Sequence, residues 1–317
     1  MKKITSYIVA LLLIGSLSAG KVNSQSKVAL KGNISISGAF ALYPLTVKWA
    51  EEFRKIHPDV KFDISAGGAG KGMTDALSNM VDIGLVSREI NTEELKKGAF
   101  AIAVTKDAVV PTVSAANPNI KDILTNGLDR DAAINIYITG KIKTWGQAIG
   151  TKSAVPIRVY TRSDACGAGE TWAKYLGKKQ EDLLGVGVFG DPGLAQAALK
   201  DPLGIAYNNI AYAYDAKTKR PNPGIKVIPI DVNNNGKIDV DENFYNSLDD
   251  LVKAIEAGKY PSPPARDLYF VTSGKPLKKE LVEFIRWSLT EGQKYAFESG
   301  YIDLSKEKLA AGLEKLK

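Results

Sequence analysis

The stretches SISGAFALYP (residues 35–44) and SAGGAGKG (residues 65–72) decide the fold of this chain, because each reads as a strand that turns on small residues and opens a helix. The first N–H groups of a helix have no intrahelical acceptor and can hold an anion. A third stretch of this kind, SDACGAGET (residues 163–171), follows further along. Three helix starts that converge on one cleft predict a receptor for an oxyanion rather than an enzyme.

Strand and helix patterns alternate in the first third of the chain. Strands are predicted at 28–37, 60–65 and 81–86, and amphipathic helices at 44–56 and 73–80. This βαβ order predicts a mostly parallel sheet, whose ligands lie outside the carboxyl ends of the strands, where the glycine turns fall. One face of the first helix should carry four apolar side chains: Leu45, Trp49, Phe53 and Ile56.

Two stretches have the features of segments that connect one lobe of a two-lobed protein to the other. The strand-rich run 100–114 precedes Asn117-Pro118, and the linker 262–264 has the sequence SPP. We therefore predict an α/β protein with two lobes, a hinge, and a ligand cleft between the lobes. The predicted parts are a signal peptide at 1–24, lobe I at 25–112 plus 264–317, and lobe II at 113–263.

The remaining elements fill these two lobes. In lobe II we predict helices at 120–124, 171–176 and 194–199, and strands at 157–160, 205–214 and 225–230. The helix at 194–199 should have Asp191 as its N-cap and Pro192 in its first turn. Lobe I should close with a strand at 268–272 and helices at 277–289 and 292–297.

The chain begins like a secreted protein. Lys2 and Lys3 precede an apolar run at 8–17, which is too short to span a bilayer and is followed by small residues. This pattern predicts a cleaved signal peptide and a periplasmic or secreted mature protein. Removing residues 1–24 takes three lysines and no acid, which lowers the formal charge from +7 to +4. A surplus this small does not indicate a nucleic-acid partner.

Several catalytic sites are excluded by residue type. His57 is the only histidine, so neither a His-based triad nor a His-rich metal centre can form. The single cysteine, Cys166, excludes an internal disulfide and is interpreted as a small buried residue. Residues 65–72 lack the first glycine and the final Ser or Thr of a P-loop, and residues 185–190, although they fit GxGxxG, are predicted to be a loop.

The glycine turns belong to a longer series of motifs. The series contains the GxxxxxP turn at 38–44 with the KWAEEF helix at 48–53, GGAGKG at 67–72, VDIG at 81–84 before Ser87-Arg88, Arg162-Ser163-Asp164, GIAY at 204–207 and FIRW at 284–287. In this order the motifs resemble the periplasmic phosphate-binding receptors of ABC phosphate importers. The resemblance covers nearly all of the mature chain. It implies a type II periplasmic binding protein fold, phosphate as ligand, and a membrane permease as partner.

The resemblance also implies a set of ligand-binding positions. Arg162 falls on the arginine that grips phosphate in the family, and Asp164 falls on the carboxylate that accompanies it. At the family's Ser and Thr positions this chain has Phe40, Ala41, Leu42, Ala69, Cys166 and Ala168. The predicted anion site is therefore made of backbone N–H groups, Ser87 and two arginines, over these residues: Ala39, Phe40, Ala41, Leu42, Gly68, Ala69, Gly70, Ser87, Arg88, Arg162, Asp164, Cys166, Gly167 and Ala168.

Because of Arg88, the sequence does not decide which anion is the ligand. This arginine stands where the family has an acidic acceptor, as in one branch of that family, and a carboxylate there would favour a protonated oxyanion over sulfate. The alternatives to phosphate are a phosphonate, a metal oxyanion or an organic acid. An alternative from another class is a calcium-stabilised surface or adhesion protein on the same fold. In the favoured reading the partners are phosphate and an ABC permease, and the protein is expected to be a monomer.

Residues 231–242 (DVNNNGKIDVDE) match the twelve-residue calcium loop at every position. Oxygen ligands stand at positions 1, 3, 5, 9 and 12, a backbone carbonyl serves at position 7, and glycine stands at position 6. We predict one structural calcium ion that fixes the helix expected at 247–258, bound by these residues: Asp231, Asn233, Asn235, Lys237, Asp239 and Glu242.

Overall fold

The computed structural model describes residues 30–317, so the predicted signal peptide and the start of the strand predicted at 28–37 lie outside the described residues. Strands and helices alternate along this part of the chain. The strands are β1 Gly32–Gly38, β2 Val60–Ala66, β3 Ile83–Val86, β4 Ala99–Ser114, β5 Leu128–Asp129, β6 Arg158–Arg162, β7 Val186–Val188, β8 Gly204–Asn209, β9 Ile225–Val227, β10 Ile230–Asp231 and β11 Ala265–Ser273.

The helices follow the predicted pattern in most places. They are α1 Tyr43–Ile56, α2 Ala69–Leu77, α3 Thr92–Lys96, α4 Ile120–Asn126, α5 Arg130–Tyr137, α6 Trp145–Ala148, α7 Gly167–Tyr175, α8 Gly190–Lys200, α9 Ile210–Ala213, α10 Leu248–Glu256, α11 Lys279–Ser288, α12 Gln293–Glu298 and α13 Lys306–Lys315. On α1, Leu45, Trp49 and Phe53 are buried as predicted, whereas Ile56 at the end of the helix is 58% exposed.

One continuous sheet connects most of the strands. Its order is β2-β1-β3-β11-β4-β8-β6-β7, and β9 pairs with the end of β4 on the edge opposite β8. The pairs β1–β2, β1–β3, β6–β7 and β6–β8 are parallel, and β11 runs antiparallel to both β3 and β4. Parallel strands whose carboxyl ends point the same way bring the turns after β1, β2 and β3 to one edge.

The long strand β4 joins the two halves of the sheet. Its first part pairs with β11, and its last part, from Val109 to Val113, pairs with β8. Opposite Asp107 in β4 stands Arg266 in β11. These two strands are where the sequence predicts crossings between the lobes, and the lobe boundaries at 112/113 and 263/264 stay predictions.

The buried apolar side chains form three clusters. One contains Trp49, Phe53 and Phe284 between α1, α11 and the β1–β3 half of the sheet. A second contains Tyr137, Trp172 and Tyr207 around the β8–β6 half. The third lies around α10 and includes Leu251 and Tyr260. Separate cores on either side of β4 allow each half to pack independently of the other.

Four sequence predictions were wrong: three concern residues 185–214, and the fourth is the strand expected at 225–230, which is interrupted between β9 and β10. Residues 205–214 are not one strand, because the chain turns after Asn209 into α9. Residues 185–190 are not a loop but the strand β7 followed by the start of α8. Asp191 is not an N-cap: Phe189 is, and Asp191 lies inside the first turn with its side chain buried. The last helix, α13, was not predicted.

Candidate functional site

The first turn lies between β1 and α1. Ala39 N donates to Leu85 O at 2.8 Å, which fixes the turn against β3. Gly38 has a φ of +133°, and a Cβ there would lie 2.8 Å from the Cα of Gly72, so only glycine fits. Within residues 30–317, no acceptor is found for the N–H groups of Phe40 and Ala41.

The second turn lies between β2 and α2 and packs on the first. The N–H groups of Gly67 and Gly68 both donate to Gly38 O, at 2.8 and 3.0 Å. Gly68 is the N-cap of α2, with φ +90°. The N–H of Ala69, the first helical residue, has no acceptor among the described residues.

The third turn connects β6 to α7. Cys166 is the N-cap of α7, and its Sγ accepts a hydrogen bond from Gly169 N at 3.2 Å, so the thiol takes the place of a capping hydroxyl. The N–H groups of Gly167 and Ala168 have no acceptor in the described part of the chain. At this turn, as at the first two, helix-start N–H groups are left available for an anion.

The three turns meet. Gly70 N donates to Ala165 O at 3.4 Å, and a Cβ on Gly68 would lie 2.8 Å from the same oxygen. Gly167 packs so closely on Ser87 that a Cβ would overlap the serine. The second turn therefore touches the third, and the residue after β3 touches the start of α7. These contacts join segments of predicted lobe I to segments of predicted lobe II.

Arg162, at the end of β6, is held by two carboxylates. Its Nε and Nη2 donate to Asp164 at 2.7 and 2.5 Å, and its Nη1 donates to Asp191 Oδ2 at 2.6 Å. The side chain has no exposed surface. Burial lowers the pKa of Arg162, but Asp191 and Asp164 more than offset this and raise it above its usual value, so the guanidinium stays charged.

Phe40 from the first turn covers this arginine. The Arg162 guanidinium carbon lies 5.5 Å from the centre of the Phe40 ring, a cation–π distance. The same ring packs edge-on against Phe189 at 6.0 Å between centres. Tyr212 Oη donates to Phe40 O at 3.0 Å. The assignment of Phe40 as a ligand-binding residue stays a prediction.

Arg88 is placed differently from Arg162. Its Nη1 and Nη2 donate to Glu94 at 2.8 and 2.7 Å, and its Nε lies 3.0 Å from Glu170 Oε2. No contact between Arg88 and Arg162 is found in the described chain. Arg88 lines a separate cavity of about 390 Å³ together with Glu170, Lys174 and Arg266. Ser87, by contrast, is buried directly against Gly167.

Four functional-site residues were missed by the sequence reasoning: Asp107, Asp191, Asn209 and Arg266. Asn209 Nδ2 donates to Asp191 Oδ1 in a short bond, and Arg266 Nη1 donates to Gly167 O at 2.7 Å. Asp191 was noted in the sequence only as a helix N-cap, and it lies in the first turn of α8. Arg266 carried no sequence signal, because β11 had no recognised motif.

Burial changes the acidity of this cluster. Burial raises the pKa of Asp107 to about 7, although Arg266 opposes the shift. Burial also raises the pKa of Asp191, against the opposing effect of Arg162. The pKa of the Cys166 thiol rises to about 12 because it is buried. A neutral thiol at physiological pH is a poor nucleophile, so Cys166 acts here as a cap.

The predicted calcium loop follows β10. Asp231 accepts from Asn235 N at 3.2 Å and from Gly236 N at 2.7 Å, while Glu242 accepts from Val232 N at 2.9 Å. Gly236 has φ +80°. In residues 30–317, no group of three or more His, Cys, Asp or Glu side chains is arranged to hold a metal ion. The amide groups of Asn233 and Asn235 both donate to Asp239 Oδ2, at 3.0 and 2.7 Å. The calcium site stays a prediction.

In the part of the chain that the structure describes, no helix is both long and apolar enough to cross a membrane.

The fold defines a class: a two-lobed α/β binding protein of type II. Three helix starts and a buried arginine lie where segments of the two predicted lobes meet. A family model described as the PBP superfamily domain matches residues 23–291, and the chain belongs to this superfamily.

Curated relatives and solved structures resemble the chain over most of its length. The phosphate-binding protein PstS of Bacillus subtilis strain 168 is 26% identical, over 88% of this chain and 83% of the relative. PstS of Methanocaldococcus jannaschii is 28% identical, over 99% and 95%. A substrate-binding protein from Clostridium perfringens solved with bound phosphate has a TM-score of 0.71, with 23% identity over 86% of this chain and all of that chain. An ABC-type phosphate transport receptor from Vibrio cholerae has a TM-score of 0.62, with 19% identity over the same shares.

Proposed function

We propose that this protein is an extracytoplasmic solute-binding protein that captures phosphate and delivers it to an ABC importer. The observation that carries the proposal is that three helix starts meet beside the buried guanidinium of Arg162, with N–H groups for which residues 30–317 provide no acceptor. Backbone N–H groups and helix dipoles favour an anion, and a water-poor site strengthens this attraction. The names of the relatives support phosphate as the anion.

Binding and release require no chemistry at the site. The thiol of Cys166 is a helix cap, and the carboxylates nearest Arg162 accept its hydrogen bonds. We therefore propose a receptor without catalytic activity that works in the periplasm or outside the cell. The permease would recognise the closed form, in which the turns of the two predicted lobes touch.

Calorimetry with a panel of anions tests the proposal. We expect phosphate to bind to the mature protein with micromolar affinity or tighter, and sulfate, a phosphonate and citrate to bind more weakly. Tighter binding of any of these competitors would overturn phosphate as the ligand. Absence of binding by every anion of the panel would overturn the receptor function itself and favour a surface protein on the same fold.

We also propose that residues 231–242 bind one structural calcium ion. The loop lies against lobe II, because Ile238 N donates to Thr125 O at 2.8 Å and β10 pairs with β5. An ion bound by Asp231, Asp239 and Glu242 would fix the segment that leads into α10. Metal binding to the folded state alone raises the melting temperature.

Chelation tests the calcium proposal. EGTA should lower the melting temperature of the calcium-loaded protein by several degrees, and added calcium should restore it. Asp231→Asn should remove most of this response. Asp241→Asn is the matched control, because Asp241 stands at a position of the loop that supplies no ligand. An EGTA-treated protein with an unchanged melting temperature would contradict the proposal.

A further inference from the structure

Arg266 lies at the centre of the molecule, away from every motif in the sequence. It stands in β11 opposite Asp107 of β4, at the place where both strands run between the predicted lobes. The residue is only 8% exposed. An arginine buried on a crossing strand needs partners for its charge, and the partners that it has lead to the anion site.

The first partner is the start of α7. Arg266 Nη1 donates to Gly167 O at 2.7 Å. Gly167 and the next residue supply two of the N–H groups without acceptors at the third turn. Because Arg266 belongs to predicted lobe I and Gly167 to predicted lobe II, this bond spans the cleft. Opening the cleft would break it.

The second partner leads to Arg162. Arg266 Nη2 makes a short bond to Asn209 Oδ1, and Asn209 Nδ2 makes a short bond to Asp191 Oδ1. Asp191 Oδ2 in turn accepts from Arg162 Nη1 at 2.6 Å. Two side chains therefore connect the two buried guanidinium groups. All the side chains in this connection are buried.

Stability alone does not account for this arrangement. Arg266 Nη2 lies 3.4 Å from Asp107 Oδ2, which is a long contact for an ion pair. Arg266 Nε and Asp107 Oδ1 are both buried, and neither has a hydrogen-bond partner within residues 30–317. A buried ion pair with incomplete hydrogen bonding is commonly less stable than an apolar pair of the same size. The arginine is best aligned with Gly167 and Asn209, not with its counter-ion.

We propose that Arg266 is a positioning residue of the anion site, which holds the start of α7 through Gly167 O and the guanidinium of Arg162 through Asn209 and Asp191. This inference rests on the proposed function. Arg266 does not touch the anion; it fixes the groups that do. Because its bond to Gly167 exists only with the cleft closed, Arg266 slows release of the anion more than it speeds capture.

A double variant tests the role without leaving an unpaired buried charge. Arg266→Met with Asp107→Asn removes both charges and keeps the side-chain volumes close. We expect the unliganded protein to remain folded, and phosphate to bind roughly ten- to a hundredfold more weakly, which is the cost of losing a charge-assisted hydrogen bond. The loss should appear in the dissociation rate measured by stopped-flow fluorescence, with little change in the association rate.

Two further variants complete the test. Arg266→Lys with native Asp107 keeps the charge, but a single ammonium cannot donate to Gly167 O and Asn209 Oδ1 together. Its phosphate affinity should therefore lie between those of the wild-type protein and the Arg266→Met, Asp107→Asn variant. The control is Arg158→Met, because Arg158 lies on β6 with its side chain 56% exposed and its replacement should leave binding unchanged.

Wild-type affinity in the Arg266→Met, Asp107→Asn variant would overturn the inference, and so would a loss confined to the association rate. If the wild-type protein binds another anion instead of phosphate, the phosphate assignment fails, and the same variants measured with that anion decide the role of Arg266. If the wild-type protein binds no anion, both proposals fall.

Discussion

The charge around Arg162 is set by neighbours that lie far apart in sequence. Asp164 is two residues away and comes with the motif, but Asp191 and Phe40 arrive through the fold. Phe40 covers the guanidinium and the Arg162 side chain has no exposed surface, so direct contact with an anion requires the surrounding groups to move. The two carboxylates keep the guanidinium charged and fixed. They also reduce its net attraction, so the N–H groups of the helix starts must supply a large share of the binding.

Replacing Arg162 tests this balance. Arg162→Met should lower phosphate affinity at least a hundredfold, because the anion loses its buried cation and faces Asp164 and Asp191. Leaving the buried carboxylate of Asp191 and the half-buried carboxylate of Asp164 without their partner should also cost about 3 kcal/mol or more in unfolding free energy. Calorimetry and urea denaturation measure the two effects.

Arg158→Met is the matched control for Arg162→Met. Arg158 stands on the same strand, but its side chain is 56% exposed and pairs with Asp201. Exposed ion pairs contribute about 1 kcal/mol or less. Unchanged binding in Arg162→Met, or an equal loss in Arg158→Met, would contradict the role assigned to Arg162.

Cys166 should be unreactive in the folded protein. Its thiol is buried, with a pKa of about 12, and accepts a bond from Gly169 N. Ellman's reagent at pH 8 should label it only after addition of denaturant, since the thiolate is the reactive form. Rapid stoichiometric labelling of the native protein would show that the start of α7 opens readily.

At the scale of elements, glycines determine how closely α2 approaches the sheet. Gly84 in β3 packs directly on α2, and a Cβ there would lie 2.7 Å from the carbonyl carbon of Gly72 and 3.0 Å from Ala76 Cβ. Relieving contacts this short would require the backbone of the strand or of the helix to move, which costs free energy. This close approach is what brings the second turn onto the first.

Gly84→Ala should therefore push α2 from the sheet. We expect a loss of about 2 kcal/mol or more in unfolding free energy, typical of overpacking against backbone, and weaker phosphate binding because the second turn moves. Urea denaturation and calorimetry measure these changes. Gly193→Ala in α8 is the control: only a Val188 methyl group lies near, at 3.0 Å, and alanine favours the helix. Equal stability of the two variants would contradict the packing argument.

At the scale of the whole molecule, buried acids make stability depend on pH in two opposite ways. The pKa values of Asp107 and Asp191 are raised, mainly by burial. Their contribution is complete below the unfolded pKa and is lost as the pH rises through the folded pKa. The pKa values of Asp164 and Glu94 are lowered despite burial, by Arg162 and Arg88 respectively, so their contribution is lost in acid. Stability should be highest in mildly acidic solution.

Asp107→Asn tests the first of these effects. The wild-type protein should lose stability between about pH 4 and pH 7, because the pKa of Asp107 moves from its usual 3.8 to about 7 on folding. The variant cannot ionise at this position and should show a smaller slope over that range in urea denaturation. Glu94→Gln, the control, should change the slope only in acid. Identical slopes for wild type and Asp107→Asn would show that Asp107 does not titrate in this range.

Much of the site could be read from local sequence. The glycine turns at 38–44, 67–72 and 163–171 each have strand, turn and helix in register, so their positions follow from short-range signals. The wrong predictions concern elements that have little local sequence signal. The strand β7 spans only Val186–Val188, and the end of β8 at Asn209 depends on bonds to distant residues. Arg88 was predicted as an arginine of the anion site, and its pairing with Glu94 and Glu170 could be seen only in the fold.

The sequence by itself determined the class of fold, the three helix starts and Arg162 with Asp164, because backbone periodicity and turn chemistry act over a few residues. The tertiary structure alone decided which charges meet. Asp191, Asn209, Asp107 and Arg266 come together only when β4 and β11 cross between the halves of the sheet. Electrostatic and hydrogen-bond partners are selected by distance in space, and no local pattern encodes that distance.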